Sequence, residues 1–186
     1  MLQKSYSNFN LPSEIHKLID LLHSHDGAVR KASREKLIRI GKSAVPSLLP
    51  LLTHKNELVR WEACKTLEKI RDQRAANALA EMLLDDDMDV RWVAADALIE
   101  LEHHAIRPVL EMIEEHFDSV LLREAAHHVL HSLKEMKLLD EESEKVLDAL
   151  SLHELPARAA FAATRALDHL RMKNYGRMHR FPTMVK

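Results

Sequence analysis

An apolar residue followed by arginine recurs four times, at Val29-Arg30, Val59-Arg60, Val90-Arg91 and Leu122-Arg123, with the arginines 30, 31 and 32 residues apart. Self-similarity at such a period constrains a chain severely. A unit of this length cannot bury an apolar face alone, so successive copies must stack into a solenoid with a continuous core. With each arginine numbered zero, position +3 holds Ser33, Ala63, Ala94 and Ala126, and +7 holds Leu37, Leu67, Leu98 and Leu130. Position +10 holds Ile40, Ile70, Leu101 and Leu133. At about 100° per residue these positions share one helical face, with small residues where two helices approach closely. Position −4 holds Asp26, Asn56, Asp87 and Ser119, whose side-chain oxygens suit the N-cap of a helix. Each repeat is thus a helix pair. The capped second helix carries the arginine, and the apolar stretches 15–22, 45–52, 76–84 and 106–113 form the first helices. Ser43 and Asp72 are expected to cap two of those, Pro46 and Pro108 to sit in early turns, and Pro50 to kink its helix.

A fifth, degenerate copy follows if Ala160 is set as zero, with Ala163 at +3, Leu167 at +7 and Leu170 at +10 but neither arginine nor cap. Only 3 glycines and 4% aromatic residues accompany a 46% hydrophobic content, so the turn and alternation signals of sheet are scarce. The expected fold is all-α, an α-solenoid of about five helix pairs over residues 13–170, with an N-terminal arm 1–12 and a basic tail 171–186. His153 and Glu154 fall in the last connection. The tail carries Arg171, Lys173, Arg177, Arg180 and Lys186 with Tyr175 and Phe181 and no acid. It is either disordered or docks on an acidic partner or on the chain's own groove.

The paired leucines of the first helices, the Asp/Asn/Ser caps, the apolar-arginine step and the small-then-leucine spacing resemble HEAT repeats, specifically phycobilisome-lyase HEAT-like repeats. The resemblance implies second helices that line an inner, concave wall. It also implies that Arg30, Arg60, Arg91 and Arg123 are structural groups bonding between repeats. Similar repeats occur in bilin lyases and in di-iron deoxyhypusine hydroxylases. In the hydroxylases His-Glu dipeptides follow the arginine, where this chain has Lys31-Ala32, Trp61-Glu62, Trp92-Val93 and Glu124-Ala125. No ligand set carries over, and neither metal nor cofactor is expected.

Positions +1, +4, +5 and +8 are expected to point away from the core seam, onto the wall. The +1 row reads Lys31, Trp61, Trp92, Glu124 and Phe161, which places both tryptophans of the chain in neighbouring repeats. Either two adjacent exposed indoles form a contact platform, or each packs back to seal a repeat junction. The +5 row, Glu35, Lys65, Asp96, His128 and Arg165, alternates in sign at its start and suggests either a ladder of ion pairs between repeats or simply a solvated face. Positions +4 and +8 bring His127 and His131 one turn apart beside His128. That is a chelating spacing, but no local carboxylate completes a site unless Asp96 or Glu124 leans in, so plain exposed histidines are the simplest reading, with a pH-sensitive contact surface or a metal as the alternatives. Cys64 has no neighbouring base on its helix and is not expected to be a reactive thiol.

Composition narrows the function classes. A net charge of −2 and a pI of about 6.7 give no global basic field for nucleic acid, and Glu35, Glu68, Asp96 and Glu124 interrupt the basic candidates Lys31, Arg34, Lys65 and Arg165. One cysteine fits a reducing compartment, and no stretch has the apolar length of a bilayer span, so a cytoplasmic protein is expected. The expectation is a non-catalytic scaffold holding a protein or peptide through Trp61, Trp92, Lys31, Arg34, Lys65, Asp96, His127, His128 and His131. A lyase-like enzyme or a HEAT-like nucleic-acid binder is the alternative.

Overall fold

The computed structural model describes residues 11–151 and 155–178, all helices and short connections with no strand among them. The first pair is α1 (Leu11–Leu21) and α2 (Gly27–Ile40). In the second, a 3-10 turn (Gly41–Ala44), α3 (Val45–Leu48) and a further 3-10 segment (Leu49–Thr53) precede α4 (Glu57–Ile70). The third has the same broken form, with α5 (Ala76–Glu81) between two 3-10 turns and then α6 (Met88–Glu100). The fourth is α7 (His103–Glu115) and α8 (Val120–Glu135), followed by α9 (Glu141–Ser151) and α10 (Ala157–Met178).

Local chemistry accounts for these boundaries. Asp26 accepts from the Ala28 N–H at 2.8 Å, Asn56 from Leu58 at 2.8 Å, Asp87 from Val90 at 3.0 Å and Ser119 from Leu122 at 3.3 Å. Each such cap contributes about 1 kcal/mol. Asp72 caps the 3-10 turn before α5 through the Arg74 N–H. Ser43, expected as a cap, instead lies exposed inside a 3-10 turn. Pro50 has no N–H to donate, and the backbone tightens to 3-10 geometry from Leu49 onward, which is the expected break. Pro108 stands inside α7 rather than in its first turn. That helix begins early, at His103, because Glu102 takes a left-handed φ of 53° and closes the turn in very few residues.

The seam positions meet in one core. Leu37, Leu67, Leu98 and Leu130 are fully buried against first-helix residues such as Leu48, Leu52, Leu79, Leu83, Leu110 and Ile113. Burying each leucine contributes about 2 kcal/mol relative to exposure. The polar member of the +3 row, Ser33, is satisfied by donating to the Leu18 carbonyl at 2.6 Å.

Two layers result. The first helices pack in the order α1, α3, α5, α7, and the second helices in the order α2, α4, α6, α8. The last pair exchanges layers, which the register with Ala160 as zero did not anticipate. α9 packs on α8, while α10 packs on α7 and α9. Thr164 accordingly donates to Glu114 of α7 at 2.7 Å, and Lys173 reaches Asp140 at the start of α9 at 2.7 Å. α10 runs on to Met178, past the expected start of the tail. The side chain of Tyr175, and His153, Glu154 and Phe181 altogether, lie outside the described residues.

Candidate functional site on the second-helix face

The first three of the repeated arginines fasten the turn between the two helices of their pair. Arg30 Nη1 donates to the Ser24 and His25 carbonyls, Arg60 Nη1 to the His54 carbonyl, and Arg91 Nη1 to the Asp85 and Asp86 carbonyls. The first two also reach into the next repeat. Arg30 Nε bonds Glu62 at 3.1 Å, joined there by Arg34, and Arg60 holds Asp85 with two bonds of 2.6 and 2.7 Å. The Asp85 carboxylate, outweighing burial, raises the Arg60 pKa above its ordinary value. Arg91 has Ala125 where Arg30 meets Glu62 and Phe117 where Arg60 meets Asp85, and it forms no salt bridge among the described residues. Arg123 Nε is buried and has no hydrogen-bond partner among the described residues.

The exposed wall is narrower than the four rows suggested. At +4, Cys64 and Ala95 are fully buried and Arg34 and His127 partly so, because this flank receives the adjacent second helix. At +8, Glu68 is buried as well, although it had been expected to face outward. Burial pushes its carboxyl up, but Lys65 and Lys69 together bring it below the ordinary carboxylate value. Burial raises the Cys64 thiol strongly, so it stays protonated. What remains open is +1 and +5 and, at +8, His131, together with positions −2 and −3. Those two lie three and four residues before +1 and so share its face.

These additional positions carry apolar residues that reading forward from the arginine missed. Leu58 and Leu121 at −2 and Met88 and Val120 at −3 are all exposed, Met88 by 59%. Met88 and Trp92 stand one turn apart on α6, as Leu58 and Trp61 do on α4. Leu58, Trp61, Met88, Trp92, Val120 and Leu121 thus form an apolar strip across the N-terminal halves of three successive second helices.

The two tryptophans differ. Trp61 is half-buried and packs on the core, with the Arg34 guanidinium 5.5 Å from its ring centroid. Trp92 is 49% exposed and meets His128 of the next repeat edge-on at 4.8 Å. Phe161 is exposed, but it belongs to α10, in the other layer.

The +5 ladder forms at a single rung among the described residues, His128 to Asp96 at 3.8 Å. Lys65 turns instead to Glu68 at 2.6 Å, and Arg165 approaches Glu142 of α9 at 3.8 Å. His127 and His131 stack with centroids 5.9 Å apart and planes 6° from parallel. Burial, then the neighbouring His131 and His128, lower the His127 pKa. Among the described residues no three His, Cys, Asp or Glu side chains converge as a metal site would require. Lys31 is exposed at the end of the wall. No helix among the described residues is long and apolar enough to cross a membrane.

Residues 15–99 match the family model of HEAT repeats, and the remaining described helices continue the same solenoid. The structure is similar to a chain in the complex of CpcE and CpcF of phycocyanin lyase from Nostoc sp. PCC7120, with a TM-score of 0.58 and 22% identity. That likeness covers 83% of this chain and 98% of the other. An engineered protein is similar with a TM-score of 0.44 and 19% identity, over 82% of this chain and 77% of its own. No curated protein matches in sequence.

Proposed function

We propose that this chain is a non-catalytic scaffold that grips a protein or peptide along its second-helix face, the concave side in HEAT-like solenoids. The observation that carries the reading is the exposed apolar strip from Leu58 to Leu121, with Met88 and Trp92 at its centre. Repeat solenoids use such faces as extended binding surfaces, and contiguous exposed apolar area on a folded chain marks a contact. Trp92 is its anchor, Trp61 its packed floor. Asp96, His128, His127 and His131 form its polar edge toward α8, and Lys31, Arg34 and Lys65 the edge toward α2 and α4. Exposed acids Glu57, Asp86, Asp89, Asp96 and Glu124 on and beside this face argue against a phosphate backbone as the occupant.

The test is site-specific photo-crosslinking in native extract, with the photoreactive residue at position 88 on the strip or at position 77 on the exposed first-helix side. Partners are expected at position 88 and should disappear when Trp92→Ala is added, with an unchanged melting temperature. Equal crosslinking from both positions, indifferent to Trp92, would refute the assignment.

A further inference from the structure

We infer that the second-helix face contains a receptor for a cationic side chain, so that the segment it grips is apolar and bears an arginine or lysine. This rests on the scaffold reading and adds the chemistry of the partner. Between the second and third repeats a pocket of about 420 Å³ is lined by Glu57, Leu58 and Trp61 of α4 and by Asp87 and Asp89 at the start of α6. Its lining joins an apolar and an aromatic side chain to three carboxylates.

The charge of these carboxylates is offset only in part from within. Lys55 and Arg91 are the cations nearest in sequence, and Arg91 spends its Nη1 on the Asp85 and Asp86 carbonyls. Arg60 feels the charges of Glu57 and Asp87 but is bound to Asp85 by two bonds of 2.6 and 2.7 Å. Among the described residues neither Glu57 nor Asp89 forms a salt bridge, and Asp87 spends one oxygen on the cap of α6. Glu57 and Asp89 also sit in the first turns of their helices, where the backbone dipole favours an acid. That explains their tolerance there but leaves their outer charge to water.

A covering segment decides the matter. A wholly apolar occupant pressed onto Leu58 and Trp61 would strip water from these carboxylates and leave them unpaired, which is strongly unfavourable. An anionic occupant would add repulsion. A guanidinium or ammonium satisfies the acids and lies against the indole at once. The chain already makes such a contact on Trp61 from the preceding repeat, with Arg34 5.5 Å from the ring centroid, while the pocket opens toward the following repeat. Exposed Met88 and Trp92 continue the strip beside the pocket and fit an apolar residue a few positions along the same segment.

The experiment is selection of a random displayed-peptide library on the immobilised full chain, followed by solution affinities of the winners and of counterparts with arginine replaced by citrulline. Citrulline keeps the shape and removes the charge. Three proteins are compared: wild type, Met88→Ala/Trp92→Ala and Glu57→Gln/Asp89→Asn, the last altering exposed groups only, with melting temperatures confirming that each is folded. Winners are expected to carry Arg or Lys near an aromatic or aliphatic residue and to lose binding to the Met88→Ala/Trp92→Ala protein. Citrulline should weaken binding about tenfold to wild type and less than about twofold to Glu57→Gln/Asp89→Asn. Winners that need Met88 and Trp92 but ignore citrulline would overturn the cation receptor and leave the scaffold standing. A selection yielding no peptide dependent on Met88 and Trp92 would overturn both.

Discussion

Glu62→Gln is the most informative perturbation of the stack itself. The Glu62 carboxylate is 4% exposed and holds Arg30 and Arg34 of the preceding repeat, whose side chains are 15% and 17% exposed. Glutamine keeps the shape and one acceptor but turns an N–H₂ toward one guanidinium. Losing a charge-assisted bond in such a place costs about 1.5–3 kcal/mol. Removing one partner of a fully buried ion pair costs about 3–5 kcal/mol, but here both guanidinium groups still touch water and Arg30 keeps its two carbonyl bonds. The expected loss is therefore about 2 kcal/mol. In a chain of this size that lowers the melting temperature by about 4–8 °C if unfolding is cooperative. Nearest-neighbour stacking adds a sharper expectation: α1 and α2 should loosen first, since Glu62 is their main polar tie to α4. Hydrogen exchange should quicken in residues 11–40 before the rest. A cycle of Glu62→Gln with Arg34→Ala should show coupling of about 1–2 kcal/mol. A variant within about 0.5 kcal/mol of wild type, with unchanged exchange in α1 and α2, would refute the reasoning.

Four further outcomes follow from the geometry. Arg60→Ala should destabilise more than Arg91→Ala in urea melts, since only Arg60 adds a bidentate carboxylate to its carbonyl bonds. The Asp72 carboxyl, held down to about 2 by the Arg74 guanidinium and N–H against its burial, stabilises fully above its unfolded pKa of about 3.9. That contribution disappears as pH falls from about 4 through about 2, so Asp72→Asn should flatten the acid limb of the stability profile. Cys64, buried and with its pKa pushed up, should react with a thiol reagent in the native state only at the rate of opening, and immediately in denaturant. Trp61→Ala should cost about 2–4 kcal/mol because the ring packs on the core, whereas Trp92→Ala should cost under about 1 kcal/mol and show its effect in binding.

What could be read in the chain was whatever repeats. Caps at Asp26, Asn56, Asp87 and Ser119 and the leucines at +7 recur in each of the first four copies, so the register between copies exposes them. The partners of the arginines do not recur. Arg30 finds Glu62 two residues past the next arginine, and Arg60 finds Asp85 six residues before it. Each carboxylate is a single event that averaging over copies hides. The +4 row misled for a related reason. Arg34 and His127 are polar members at its ends, while Cys64 and Ala95 have a helix on either side and are sealed. Leu58, Met88, Val120 and Leu121 were legible in principle, being three or four residues before the +1 row, had the helical face been followed backward.

The arginine ladder stops where the stacking changes. Arg30 and Arg60 bond forward into a repeat whose second helix lies beside their own, whereas Arg91 holds only the carbonyls of its own turn. After α8 the neighbour in this layer is α9, which follows α8 directly and so lies beside it as the next element in the chain. A copy built in this way has no place for a forward-reaching guanidinium, and Ala160 stands where arginine would. Arg123, the last of the ladder, is left with a buried Nε lacking a partner among the described residues. The exchange also bounds the candidate site. α10 carries Phe161 into the first-helix layer, so the apolar strip ends at Val120 and Leu121, and the surface offered to a partner spans α4, α6 and α8. A segment long enough to cross three helices about 10 Å apart needs only about six to nine extended residues. Peptides shortened below that length should lose affinity stepwise as they cease to reach either Trp61 or Leu121, and affinity indifferent to length would place the contact on a single helix.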